Sequence, residues 1–186
     1  MESKRKEAVE ILKSGGTVLY PSDTIWGLGC DATDEEACQK ILDIKNRPDD
    51  KSLILLMDSF RMVEHYVPNF AEIVYELVDL SDKPLTIIYP TSRNLAPSVL
   101  AADGSVGIRI TKDALCLELI RGLKRPIVST SANLSGQNHP GQFSEINEKI
   151  KSGVDIILEE KTSDSLINPS QIIKIELNGA VKILRK

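Results

Sequence analysis

Ala8, Val9, Ile11 and Leu12 recur at helical spacing, and Gly15-Gly16 ends the helix they predict. Thr17-Val18-Leu19-Tyr20 reads as a strand closed by Pro21. Thr33 and Glu36 stand at the spacing of a capping box, opening a helix that buries Ala37, Ile41 and Leu42 and ends near Lys45. The apolar run Leu53–Met57 predicts a buried strand, followed by a helix over 70–80 and strands over 85–89 and 106–110. Asp113–Leu123 predicts a further helix, and Arg125-Pro126-Ile127-Val128 a short strand. The tail predicts a helix around 145–151, a strand over 154–158, and a hairpin of 171–176 with 180–184 that turns at Asn178-Gly179. Strands and helices mix without strict alternation, which predicts an α/β fold with a mixed sheet and helices packed on it. The chain has no internal repeat, low-complexity tract or interdomain linker, so residues 1–186 read as a single domain.

Composition narrows this picture. Hydrophobic residues make up 41% and charged residues 27%, values of a globular, water-soluble domain. No apolar run approaches the roughly 18 residues of a membrane span. Met1-Glu2-Ser3-Lys4-Arg5-Lys6 leads into an amphipathic helix and not a secretory signal. Cys30, Cys38 and Cys116 are widely spaced and only two His are present, which argues against a disulfide scaffold or zinc site and for a reducing cytoplasm. The net charge of −4 excludes a polycation that coats nucleic acid. Basic residues nevertheless gather locally. Between 109 and 125, Arg109, Lys112, Arg121, Lys124 and Arg125 face only Asp113 and Glu118.

Four stretches carry candidate chemistry. Ser129-Thr130-Ser131-Ala132-Asn133-Leu134-Ser135-Gly136 follows a short strand; small uncharged donors and backbone N–H groups suit phosphate, ribose or carboxylate, although such clusters are also ordinary turns. Pro21 to Cys30 runs from a strand into polar residues and then Gly27-x-Gly29, a pattern open to two readings: a ligand loop, or a turn at Asp23-Thr24 with Trp26 in the core. It lacks the third glycine of a dinucleotide fingerprint. Lys45, Arg47 and Lys51 place three cations in seven residues, suited to polyphosphate or, alternatively, to a solvated loop paired with Asp49 and Asp50. Arg109 interrupts an apolar strand. In a central strand it must face a cavity or an anion; at an edge it is merely surface. There is no Gly-x-Ser-x-Gly elbow and no Walker A loop, and His65 and His139 sit beside no candidate nucleophile, so covalent and metal-hydrolase mechanisms lack support.

Taken together these segments resemble the YrdC/TsaC family of L-threonylcarbamoyladenylate synthases, over almost the whole chain. The likeness rests on Pro21–Cys30, on Lys45-x-Arg47-Pro48, on the strand carrying Arg109, and on Ser131-x-Asn133. Pro169-Ser170 and Ile183-Leu184-Arg185 are similar to two further segments near the family's C-terminus. The likeness is to the single-domain form, without the extra C-terminal domain of longer Sua-type relatives. It implies a twisted, mixed and largely antiparallel sheet flanked by helices and curving over a positively lined cavity. It also implies a nucleotidyltransferase in which L-threonine and bicarbonate (or CO2) form a carbamate. The carbamate then attacks the α-phosphorus of ATP, and pyrophosphate leaves.

By motif position, the resemblance assigns ATP to Lys45, Arg47, Lys51, Ser105, Ser131, Asn133 and Arg185, with Lys45 and Arg47 as the catalytic, charge-stabilising pair. It assigns threonine to Thr24, Arg109, Ser129 and Ser170, with Arg109 on the carboxylate. Thr130, Leu134 and Gly136 fall to scaffold. No metal site of the protein's own is implied; Mg2+ would ride on the ATP phosphates. The product would pass to a downstream threonylcarbamoyl-transferase that modifies tRNA. Departures from the family pattern are Ser22 for the usual Thr, Trp26 for Tyr, Ser52 for Pro, Leu56 where some relatives carry His, and Gln171 for Thr. The rival readings are a double-stranded RNA or nucleotide-binding module without catalysis, and a degenerate subunit of a carbamoyl-transfer system.

Overall fold

The computed structural model describes residues 2–46, 53–159 and 169–186. Arg47 and Lys51 lie outside these residues. The chain begins with helix α1 (Glu2–Lys13), whose buried Ala8, Val9 and Leu12 form the predicted apolar stripe. Gly15, at φ +77°, turns the chain out of it. Strands β1 (Val18–Pro21) and β2 (Trp26–Gly29) form an antiparallel hairpin. Helix α2 (Glu35–Lys45) follows, then β3 (Ile54–Met57), α3 (Phe60–Tyr66), α4 (Ile73–Asp79), β4 (Leu85–Tyr89), β5 (Val106–Ile110) and α5 (Ala114–Leu123). The remainder comprises β6 (Ile127–Val128), β7 (Thr130–Ser131), α6 (Glu148–Gly153), β8 (Ile156–Ile157) and the hairpin β9 (Gln171–Ile175) with β10 (Val181–Arg185). Its turn holds Gly179 at φ +81°, as Asn178-Gly179 predicts.

The strands belong to two mixed sheets, where one was expected. The smaller has the order β7-β2-β1-β8 and the larger β10-β9-β4-β5-β3-β6. Most pairings are antiparallel; β1–β8, β3–β5 and β4–β9 are parallel. The segment 127–131 is one run of chain shared by both sheets. Val128 pairs with Leu55 of β3, whereas Thr130 pairs with Leu28 of β2. Ser129 is the crossover residue, and its N–H donates to the Ile54 carbonyl at 2.7 Å.

Several local expectations shift. Helix α2 is capped by Asp34 and not Thr33, because the Asp34 carboxylate accepts the Ala37 N–H while Thr33 binds Asp31. Trp26–Gly29, within the segment expected to be a ligand loop or turn, is strand β2; its two glycines hide the alternating pattern on which strand recognition depends. The helix expected over 70–80 is shorter, and that expected around 145–151 begins at Glu148, where the Asn147 side chain accepts the Lys149 N–H.

The main apolar core, including Leu28, Ile41, Leu55, Met57, Val106 and Ile108, is continuous across both sheets. A second cluster packs α1 and α5 over Tyr20 and Leu56. Burying one such leucine or isoleucine side chain stabilises by about 1.5–3 kcal/mol. Gly27 and Gly29 belong to this packing. A Cβ on Gly29 would lie 2.7 Å from the Val128 oxygen and 2.8 Å from the Tyr20 ring, and one on Gly27 would crowd the same ring. The Gly-x-Gly pattern therefore serves a close approach within the protein. Trp26 is core as well, packed on Phe143 with ring centroids 5.3 Å apart.

Candidate active site

The two sheets meet at a cavity of about 210 Å³. Thr24 and Ile25 come from the β1–β2 turn, Ile54 from β3, Arg109 from β5, and Ser129, Thr130 and Ser131 from the shared strand. His139, Pro169, Ser170 and Arg185 complete the wall. Two arginines thus face it, and among the described residues no acidic side chain lines it. Burial, and then the like charge of Arg109, lower the pKa of Arg185, so an anion placed between the two guanidiniums would relieve both.

β5 is an inner strand, paired with β3 on one side and β4 on the other, which decides the open question about Arg109. Its side chain is 4% exposed and carries its charge into the protein. Nη1 donates to Thr24 Oγ1 at 3.0 Å, and Nη2 lies 3.1 Å from Asp23 Oδ1. Nε is buried and has no hydrogen-bond partner among the described residues. An orphaned donor on a buried cation costs free energy unless something accepts it. The turn that delivers Thr24 is itself held by Ser22: its hydroxyl accepts the N–H groups of Thr24 and Ile25 and donates to the Ile25 carbonyl at 2.8 Å.

Ser170 stands at the opposite wall. Its hydroxyl shares a hydrogen bond with Thr86 Oγ1 at 2.7 Å, and its carbonyl accepts Arg185 Nε at 2.8 Å. That contact draws the end of β10 toward the cavity.

Lys45 terminates α2, is 2% exposed, and does not line the cavity. Its ammonium donates to the carbonyls of Ser131 and Asn133, the latter at 2.7 Å, and so braces the hydroxyl-rich loop from behind. Asn133 donates its amide to the carbonyls of Leu134 and Gln137, and its Oδ1 is buried without a hydrogen-bond partner among the described residues.

Six of the expected residues thus share one cavity: Thr24, Arg109, Ser129, Ser131, Ser170 and Arg185. Lys45 and Asn133 stand directly behind that wall. Ser105 is not brought there. It precedes β5 at the end away from Arg109, and its hydroxyl donates to Asp103 at 2.5 Å. Thr130, expected to be scaffold, lines the cavity, and so does His139, which the sequence placed beside no candidate nucleophile. Nothing in the spacing of His139 marks it, because a loop carries it there. Asp23 was expected only as part of a turn, yet it contacts Arg109. No group of three or more His, Cys, Asp or Glu among the described residues could hold a metal ion.

The family model for Sua5, YciO and YrdC proteins, described as telomere recombination, matches residues 10–186. A threonylcarbamoyl-AMP synthase of Psychromonas ingrahamii is 33% identical over 177 residues, covering 92% of each chain. One from Hahella chejuensis is 36% identical over 171 residues, covering 90% of this chain and 91% of its own. Among solved structures, P. abyssi Sua5 complexed with L-threonine superposes with a TM-score of 0.86 at 28% identity. That match covers 94% of this chain and 52% of the Sua5 chain, so this protein spans about half of that longer one. E. coli YciO shares the fold, with a TM-score of 0.84 at 22% identity over all of this chain and 90% of its own. With the match extending across nearly every element that builds the cavity, the chain belongs to the Sua5/YciO/YrdC family.

Proposed function

We propose that this protein is an L-threonylcarbamoyladenylate synthase that joins L-threonine, bicarbonate or CO2, and ATP into threonylcarbamoyl-AMP, releasing pyrophosphate and water. The observation that carries the reading is Arg109: a guanidinium buried in a central strand, fixed at Nη1 and Nη2 and, among the described residues, unpartnered at Nε, in a cavity also faced by Arg185. Similarity to proteins named threonylcarbamoyl-AMP synthase, and to a Sua5 complexed with L-threonine, supports it.

A cavity of about 210 Å³ is smaller than the roughly 300–1,000 Å³ of sites that enclose a whole drug-sized ligand. It suits an amino acid and the phosphate end of ATP, with the rest of the nucleotide extending through the mouth. In this reading Arg109 takes the threonine carboxylate, with Thr24, Ser129 and Ser170 around the amino acid. Ser131 and Asn133 meet the nucleotide, on a loop that Lys45 holds in place, and Arg185 and His139 stand over the phosphates. Arg47 and Lys51 supply further phosphate contacts.

The threonine amine adds to the carbon of bicarbonate with loss of water. A carbamate oxygen then displaces pyrophosphate at the α-phosphorus, without any covalent enzyme intermediate. Such chemistry needs positioning and compensation of anionic charge more than a strong base. Mg2+ would be held by the ATP phosphates. The adenylate would pass to a transferase partner that modifies tRNA.

The test is pyrophosphate release by the purified protein. Release should require threonine, bicarbonate and ATP together, with carbon from labelled bicarbonate entering the adenylate product. Release at the same rate without threonine would refute the proposal.

A further inference from the structure

We propose that Asp23 is a positioning residue for the threonine site, acting through Arg109 and never touching substrate itself. The inference rests on the threonine-site reading above. Arg109 must present its guanidinium to a small carboxylate from the middle of a sheet, and a long side chain loses considerable rotamer freedom when it is held in one pose. Two contacts hold it: the Thr24 hydroxyl at Nη1 and the Asp23 carboxylate at Nη2. Thr24 belongs to the cavity wall. Asp23 does not.

The Asp23 side chain instead lines a second cavity of about 210 Å³, with Lys83, Asp82 and Lys112 among its walls. Asp23 thus lines the second cavity while its carboxylate holds an arginine that faces the first. Its side chain is 25% exposed against 4% for Arg109, so it keeps partial hydration while the arginine head is sealed. A monodentate contact at Nη2 leaves Nε free of the aspartate. Asp23 thus anchors the fork without consuming every donor it offers, and the donor left over is available to an incoming carboxylate. A serine at position 23 would bring a hydrogen-bond acceptor of shorter reach, and an asparagine one of the same reach without the charge. Aspartate provides both the acceptor and the counter-charge that a buried guanidinium requires before substrate arrives.

The experiment is steady-state pyrophosphate release, with threonine and ATP varied in turn at saturating bicarbonate, for the wild type, Asp23→Ala and Asp23→Asn. Asp23→Ala should raise the KM for threonine about tenfold or more, because reacting groups displaced by about an ångström lose large factors in rate and binding. The KM for ATP should stay within about twofold, since the nucleotide loop is braced separately by Lys45. Asp23→Asn, which keeps an acceptor at the same reach, should restore the threonine KM to within about threefold of wild type. Should Asp23→Ala not give folded protein, Asp23→Ser carries the same expectation. A threonine KM unchanged in Asp23→Ala, equal impairment of the Ala and Asn variants, or a parallel rise in the ATP KM would each overturn the assignment. Wild-type turnover that ignores threonine would instead overturn the synthase reading, and this one with it.

Discussion

Replacing Lys45 with methionine separates bracing of the loop from contact with phosphate. Methionine keeps the unbranched shape and apolar stem but removes the ammonium. The carbonyls of Ser131 and Asn133 then lose a charged donor in a site where Lys45 is 2% exposed. A hydrogen bond to a charged group contributes about 1.5–3 kcal/mol net, so two give about 3–6 kcal/mol. Relief from burying the ammonium offsets part of this, leaving a loss of about 2–4 kcal/mol. For a domain of this size that corresponds to a fall in Tm of about 5–15 °C. The assay is thermal unfolding followed by far-UV circular dichroism in the absence of ligands, with ATP affinity measured at a temperature where both proteins are folded. ATP affinity should fall too, because Ser131 and Asn133 ride on the braced loop. A Tm shift smaller than about 2 °C together with lost ATP affinity would refute the bracing argument and place Lys45 on the phosphates alone.

Three further outcomes follow from the same geometry. Gly29→Ala should destabilise by about 1–3 kcal/mol in urea titration because its Cβ meets the Val128 carbonyl and the Tyr20 ring, whereas Gly107→Ala, whose nearest neighbour is 3.5 Å away, should cost less than about 1 kcal/mol. Arg109→Lys keeps the charge but loses the fork that bridges Thr24 and Asp23, so the threonine KM should rise about 10–100-fold, and an unchanged KM would remove Arg109 from the carboxylate. Asp103, hydrogen-bonded first by the Ser105 hydroxyl and N–H and then by Lys174, has its pKa lowered to about 2. That contribution is present above the ordinary carboxylate pKa near 4 and is lost as pH falls from about 4 to about 2. Asp103→Asn should therefore flatten the decline of the unfolding midpoint across that window while leaving the neutral-pH slope alone.

Much of the site was legible along the chain. A charged residue within the apolar run 106–110 marked Arg109, because a buried cation demands a partner wherever the strand lies. The hydroxyl-rich run after a short strand marked Ser129 and Ser131. The places of His139 and Asp23 have no local signature: a loop brings one to the cavity, and the other matters only through a side chain 86 positions further on in the sequence. Lys45 was legible as a cation near the site, but its partners were not. The carbonyls it meets lie 86 and 88 residues away.

What the sequence determined by itself was the set of elements whose signals are local. Helical spacing in α1 and α5, the apolar strands β3 and β5, and the Asn178-Gly179 turn all follow from side chains within a few residues of one another. Only the tertiary structure decided that there are two sheets, that residues 127–131 pass from one to the other at Ser129, and that β5 is internal. Strand partnership depends on backbone hydrogen bonds between distant segments, to which the local pattern of side chains is largely blind. The cavity exists because that partnership sets the β1–β2 turn of one sheet against the face of the other, and Arg109 acquires its role only there.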